Sequence, residues 1–116
     1  MNLKEIQDLL QLKALSLPSN LDTIEVRTGY TSDMLSCVMT GALSGSVWVT
    51  LMAHNNIVAV ASLLDIPAII ITENAQPDEL TIARAREKEI VLFSTPRPTF
   101  EVVGKLWEMG IRAEET

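Results

Sequence analysis

The sequence holds one cysteine and one histidine. A lone cysteine, Cys37, excludes an internal disulfide and any multi-cysteine metal or iron–sulfur site. A lone histidine, His54, excludes a histidine-cluster metal centre. Basic residues are scarce too: nine Lys and Arg stand against 15 Asp and Glu, for a net charge of −6. Those nine are scattered, and Arg84, Arg86 and Lys88 are interleaved with Glu87 and Glu89, so nucleic acid finds no basic stripe to follow. No apolar run reaches the ~18 residues of a spanning helix. The opening residues, Met1 to Asp8, are charged and amphipathic, unlike the apolar core of a signal peptide. Neither Gly-x-x-x-x-Gly-Lys-Ser/Thr nor Gly-x-Gly-x-x-Gly occurs, which removes the two common phosphate-loop fingerprints. The expectation is a cytoplasmic protein with no metal, no cofactor, no nucleic-acid partner and no membrane anchor.

What is present is a rhythm. Three short apolar runs, Val47 to Leu51, Ala68 to Thr72 and Val91 to Thr95, each close on hydroxyl residues and lead into a helix-like segment. Those segments span Ile57 to Leu64, Glu79 to Lys88 and Thr99 to Met109. Strands alternating with helices at this spacing imply crossover connections and a mostly parallel sheet buried on both faces. A chain of 116 residues, 47% apolar and 21% charged, is long enough for one such domain with its own core. The expected architecture is therefore three-layer α/β/α over residues 1–116. Ligands of such sheets gather beyond the carboxyl ends of the strands.

The rest of the chain fits around these units. Asn2 suits a helix cap ahead of the Leu3, Ile6, Leu9 and Leu10 stripe. Residues 12–15 suit a short edge strand, and residues 16–20 a loop. Ile24, Val26 and Thr28 alternate with Glu25 and Arg27, the pattern of a half-wet strand, which Gly29 then ends. Thr31 or Ser32 caps the next helix, with Met34, Leu35, Val38, Met39 and Ala42 along one side. In the last helix Phe100, Val102, Val103, Leu106, Trp107 and Met109 share half of the wheel, Gly110 is the stop, and residues 112–116 form a frayed tail. Trp48 and Trp107 read as packing residues.

The segment from Ile57 to Leu64 carries no charge and is apolar nearly all round, whereas a helix lying on a sheet normally keeps a polar side. Either it is a strand at its start, or a second subunit covers its outer side. Its alanines and leucines, and the strand just before it, favour a helix. Ile57, Val58, Val60, Ala61 and Leu64 are then the candidate contacts of a homodimer, since each such side chain left wet forgoes roughly 1.5–3 kcal/mol.

Chemistry-bearing residues gather at the turns. Gly29 to Asp33 joins a strand to a helix, where the first amides and the hydroxyls of Thr31 and Ser32 suit an anion; an ordinary glycine turn with a capping hydroxyl explains the same residues. His54, Asn55 and Asn56 lie where the second run ends, suited either to reading a ligand or to capping the helix. Thr72 and Ser94-Thr95 end the next two strands. Together with Thr28 and Thr50 they outline a hydroxyl-lined rim better suited to holding a sugar or phosphate than to breaking bonds. No nucleophile–base pair, metal set or cofactor fingerprint points to an enzyme. Cys37 lacks a recognisable basic neighbour that would activate it.

Across most of its length the chain resembles the DRTGG domain family. The resemblance rests on Val26 to Ser36 with Val38-Met39, on Val47-Trp-Val-Thr, His54 to Asp65 and Ala68 to Thr72, and on Pro77-Asp78-Glu79 and Ser94-Thr95-Pro96. Of the naming motif only Arg27, Thr28 and Gly29 are kept; Val26 replaces its Asp and Tyr30 its second Gly. The resemblance implies a fold similar to the N-terminal domains of HPr kinase/phosphorylase and of Mur ligases. It also implies a regulatory rather than catalytic role, as beside CBS domains in regulated pyrophosphatases, and no kinase activity, because the P-loop domain is absent. The resulting expectation is a non-catalytic, homodimeric sensor of a small phosphorylated ligand such as a nucleotide. Its ligand site would draw on Arg27, Thr28, Gly29, Thr31, Ser32, Asp33, Thr50, His54, Asn55, Thr72, Ser94 and Thr95. The alternative is a protein–protein adaptor without a ligand, serving a redox or energy-metabolism enzyme.

Overall fold

The computed structural model describes residues 1–16 and 20–114. Five strands form one sheet in the order β1-β5-β4-β3-β2: β1 (Lys13–Ser16), β2 (Gly29–Thr31), β3 (Val47–Thr50), β4 (Ala68–Ile71) and β5 (Val91–Ser94). β2 to β5 are parallel, and β1 joins the β5 edge antiparallel. The helices are α1 (Leu3–Leu10), α2 (Leu35–Gly41), α3 (Asn56–Leu64), α4 (Glu79–Glu87) and α5 (Thr99–Glu108). The mostly parallel α/β sandwich read from the sequence is the fold observed.

Period-two geometry sorts the central strands onto two cores. Val47, Val49, Ala68, Ile70, Val91 and Phe93 face α1 and α5. Trp48, Ile69, Ile71 and Leu92 face α2, α3 and α4. Because β2, β3, β4 and β5 step steadily across the sheet, crossovers of one hand leave all three connecting helices on one side. Burial on both faces is why β3, β4 and β5 read as continuous apolar runs.

α1 begins with a full capping box: the Asn2 side chain accepts from the Glu5 amide, and the Glu5 carboxylate accepts from the Asn2 amide. The alternation at 24–28 is real in burial, for Val26 and Thr28 are buried and Arg27 exposed, but it does not build the expected strand. Residues 24–26 pair with residues 1–3 instead, through Leu3 N–H to the Ile24 carbonyl and Val26 N–H to the Met1 carbonyl. The strand begins at Gly29, so this glycine opens β2 rather than ending it. The glycine eases a close approach, since a Cβ at position 29 would lie 3.1 Å from the Ile111 methyl.

α2 is shorter and wetter than its sequence implied. Only Val38 is fully buried, while Met34 and Met39 are exposed. Neither Thr31 nor Ser32 is its N-cap. Met34 holds that position without a side-chain bond, and Ser32 Oγ accepts from the Met34 amide in the preceding turn. In α5, Val102 and Leu106 are buried, but Phe100 is 86% exposed and Trp107 51%.

The candidate interface on α3 is corrected by the packing. Ile57, Val58, Val60 and Ala61 are buried inside this chain, and Leu64 is half-buried. α3 lies against the sheet between α2 and α4, and this packing, rather than a second subunit, buries its apolar residues. Its outward residues are Asn56, Ala59 and Leu63, the last 68% exposed. The tail expected from residue 112 is held at its first residue, where Arg112 bridges Thr28 beside β2. The loop expected over 16–20 and the last two tail residues lie largely outside the described residues. Among the described residues no helix is long and apolar enough to cross a membrane.

Candidate functional site

Ser32, Asp33, Thr50, His54, Asn55, Thr72, Ser94 and Thr95 lie at or just beyond the carboxyl ends of β2, β3, β4 and β5. Most of their polar atoms serve the fold. One Asp33 carboxylate oxygen accepts from the Thr50 hydroxyl at 2.8 Å and from the Leu51 amide at 2.9 Å. The Thr50 hydroxyl oxygen accepts in turn from the Met52 amide. The Trp48 indole N–H donates to the Ser32 carbonyl at 3.0 Å. Together these bonds fasten the β2–α2 turn to β3.

The same holds along the rim. The Thr72 and Thr99 hydroxyls lie 2.6 Å apart, and the Glu73 carboxylate accepts the Thr99 amide at 2.7 Å. Glu73 thus caps α5 from another strand's end, because the N-cap position itself is Pro98, which offers no side-chain bond. The Thr95 hydroxyl oxygen accepts from the Arg97 amide. His54 Nδ1 accepts from the Asn56 amide at 3.1 Å. Asn55, the N-cap of α3, makes no side-chain bond, so the histidine does the work expected of the asparagines. Asp78 caps α4 by accepting from the Thr81 amide and hydroxyl. Chiefly the Thr81 hydroxyl, then its amide, hold the Asp78 carboxyl below its usual range.

Three of the expected residues lie elsewhere. Arg27, Thr28 and Gly29 sit where β2 begins, at the opposite end of the sheet from His54 and Thr72. The Thr28 hydroxyl is buried against the Ser46 hydroxyl at 2.7 Å. Thr31 is on β2, its hydroxyl donating to the Val49 carbonyl.

A second location is open to a ligand. Three helices cover one face of the sheet and two the other, and β2 is the strand left thinly covered on the α1/α5 side. A hollow of about 280 Å³ remains there. Its walls are Gly29, Tyr30 and Thr31 of β2, Val49 of β3, Val103, Leu106 and Trp107 of α5, and Ile111 to Ala113. Positive φ at Gly110 (+98°) turns the chain back after α5, allowing Ile111 and Arg112 to return to β2. There the Gly29 amide donates to the Arg112 carbonyl, and the Arg112 amide to the Arg27 carbonyl. The Arg112 guanidinium lies over the Trp107 ring, 4.7 Å from its centroid, and donates to the Trp107 carbonyl. A second hollow of about 270 Å³ adjoins the first, sharing Ile111 and Arg112 and adding Met1, Val26, Arg27, Met109, Gly110 and Glu114.

Of the sequence-derived candidates, Gly29 and Thr31 line the first hollow, Arg27 lines the second and Thr28 lies between them. Trp107, Ile111 and Arg112 were not among the candidates. Their only signal is an aromatic and a cation flanking a helix-ending glycine. Among the described residues no group of His, Cys, Asp and Glu is arranged to hold a metal ion.

Comparison with known proteins bears on this arrangement. The family model described as HPr Serine kinase N terminus matches residues 50–109, more than half of the chain. No curated protein sequence matches significantly. Among solved structures, the chain is similar to the CBS and DRTGG domains of the regulatory region of Clostridium perfringens pyrophosphatase, crystallised with the activator diadenosine tetraphosphate. That likeness has a TM-score of 0.72 at 18% identity over 89% of this chain. It covers 44% of the other chain, so this protein spans less than half of that structure. The resemblance drawn from the sequence is borne out.

Proposed function

The chain belongs to the family of HPr serine kinase N-terminal domains, and on that footing we propose that it is a non-catalytic regulatory module sensing a small ligand. The observation that carries this reading is the hollow between β2 and α5. It is a concave, mostly apolar space with a cation at its mouth, the usual make-up of a small-molecule site. Most of the groups at the strand-end rim are engaged in capping and fastening. In this reading Gly29 and Thr31 contact the ligand, with Arg27 and Thr28 beside them. Ser32, Asp33, Thr50, His54, Thr72 and Thr95 are the frame that fixes β2 and the strand ends, with Asn55 and Ser94 beside them. A nucleotide is the favoured ligand, since the regulatory region of similar fold was crystallised with one, and the cytoplasm is the setting in which it is met.

The module acts as a homodimer in this reading, through outward rather than inward residues of α3. Ala59 and, one turn on, Leu63 lie beside a groove of about 420 Å³ lined by Val58, Ala59, Leu80, Ala83, Arg84, Glu87 and Lys88. Leu63 and Leu80 are exposed and Ala59 and Ala83 are small, a combination that admits close approach of a second helix.

Thermal unfolding against adenine, guanine and uridine nucleotides, dinucleotides and sugar phosphates tests the reading. Ligand at ~100 times its dissociation constant adds about 2.7 kcal/mol to stability, several degrees for a domain of this size. One ligand class is expected to raise the midpoint in a concentration-dependent way. A flat panel would replace this reading with that of an adaptor for a metabolic or redox enzyme, for which exposed Met34, Met39 and Leu43 around α2 supply an apolar surface.

A further inference from the structure

The two adjoining hollows differ in character. The first is bounded almost wholly by carbon: Val49, Val103, Leu106, Ile111, the Trp107 ring and the Gly29 backbone. The second is bordered by Arg27 and Arg112. In a chain of net charge −6, the backbones of these two arginines are joined by one hydrogen bond, and both residues line the same hollow. Among the described residues neither has a carboxylate partner: the ion pairs are Met1 with Glu25, Lys4 with Asp8 and Arg97 with Glu101. Glu114 borders the second hollow without pairing to either arginine.

Two arginines without a carboxylate partner, bordering one hollow of an acidic protein, invite an anion, and arginine's planar fork suits carboxylate or phosphate. Arg112 is held in advance, stacked on Trp107 and bonded to its carbonyl, so little side-chain freedom remains to be lost on binding. The adjacent apolar volume is at the small end of ligand sites, enough for one ring system.

We propose that the two hollows form a single bipartite site for a planar aromatic ring bearing one negatively charged substituent. The ring enters between β2 and α5 against Trp107, and the anion meets Arg112 and Arg27. The anion is a phosphate carried through a sugar, as in a nucleoside monophosphate, or a carboxylate carried on the ring. The inference rests on the sensing role proposed above and names the ligand class for it.

Calorimetric titration of the full chain with adenosine monophosphate, adenosine, ribose 5-phosphate and indole-3-acetate tests it. Adenosine monophosphate or indole-3-acetate should bind at least about tenfold more tightly than adenosine or ribose 5-phosphate, a difference of about 1.4 kcal/mol; which of the two binds decides between phosphate and carboxylate. Val103→Trp, which fills the apolar lobe, and Arg112→Gln, which removes the anion partner, should each weaken that binding at least about tenfold. If Val103→Trp fails to fold, Trp107→Leu at its half-exposed position replaces it. Absence of binding by both aromatic anions at millimolar concentration overturns the proposal, as does unchanged affinity in Arg112→Gln. Ribose 5-phosphate binding without either aromatic anion would leave the sensing role standing and this site refuted.

Discussion

Asp33 is an unusual acceptor, because both groups it serves come from the end of the neighbouring strand. Asp33→Ala would leave the buried Thr50 hydroxyl and the Leu51 amide without it, at a cost of about 1–3 kcal/mol, read from the urea midpoint. Tyr30 and Gly41 form a second such pair. The Tyr30 hydroxyl donates to the Cys37 carbonyl at 3.0 Å, and a Cβ at Gly41 would lie 2.6–2.8 Å from the tyrosine's outer ring atoms. Gly41→Ala should therefore displace the ring and lower the unfolding midpoint, although alanine is the better helix former. Asp78 carries a pH signature. Its folded pKa lies below the ordinary value of 3.8, so its stabilising contribution is complete above that value and is lost as pH falls through the lowered one. Asp78→Asn keeps a capping oxygen but not the titration, and should flatten the acid limb of a stability–pH curve measured below pH 3.8. Little at this scale was legible beforehand. Sequence places hydroxyls and carboxylates at strand ends, but whether each faces a ligand or a neighbouring amide depends on residues 17 to 27 positions away, as for Asp33 with Thr50 and Thr72 with Thr99.

Elements were legible in proportion to how fully they are buried. β3, β4 and β5 announce themselves because both faces are covered. β2 does not, since Gly29-Tyr30-Thr31 is too short for a pattern and its membership comes from pairing with β3. The convincing alternation at 24–28 belongs to an extended segment that pairs with residues 1–3 and, at Thr28, with Arg112. α3 taught the opposite error: a helix without charge can be covered by its own neighbours. Two substitutions on it should separate inward from outward. Val60→Glu places a carboxylate where only 8% exposure exists and should unfold the domain. Leu63→Glu should leave unfolding nearly unchanged while shifting sedimentation from dimer to monomer. A dimer that survives the second change would remove the α3/α4 groove from consideration.

For the whole molecule, the governing fact is unequal cover: three helices on one face, two on the other, and the chain's return after Gly110 closing part of the difference. Ile111, nearly buried, is the plug of that closure. Ile111→Ala should cost about 2–5 kcal/mol and enlarge the hollow beside β2, detectable as increased uptake of a hydrophobic dye. Apart from Gly29 and Thr31, this hollow escaped the sequence reading because its walls come from residues 29–31, 49 and 103–113, brought together only by the fold. The same return has a geometric consequence. Met1 bonds to Val26 and Arg112 to Arg27, so the chain enters and leaves the domain at one spot. Topologically it is a ring with a small gap. A short bridge from Arg112 to Met1 would close it, new ends opened at the exposed turn around Leu43-Ser44 would keep every strand intact, and the domain could be seated within a loop of a host protein without prising that host apart.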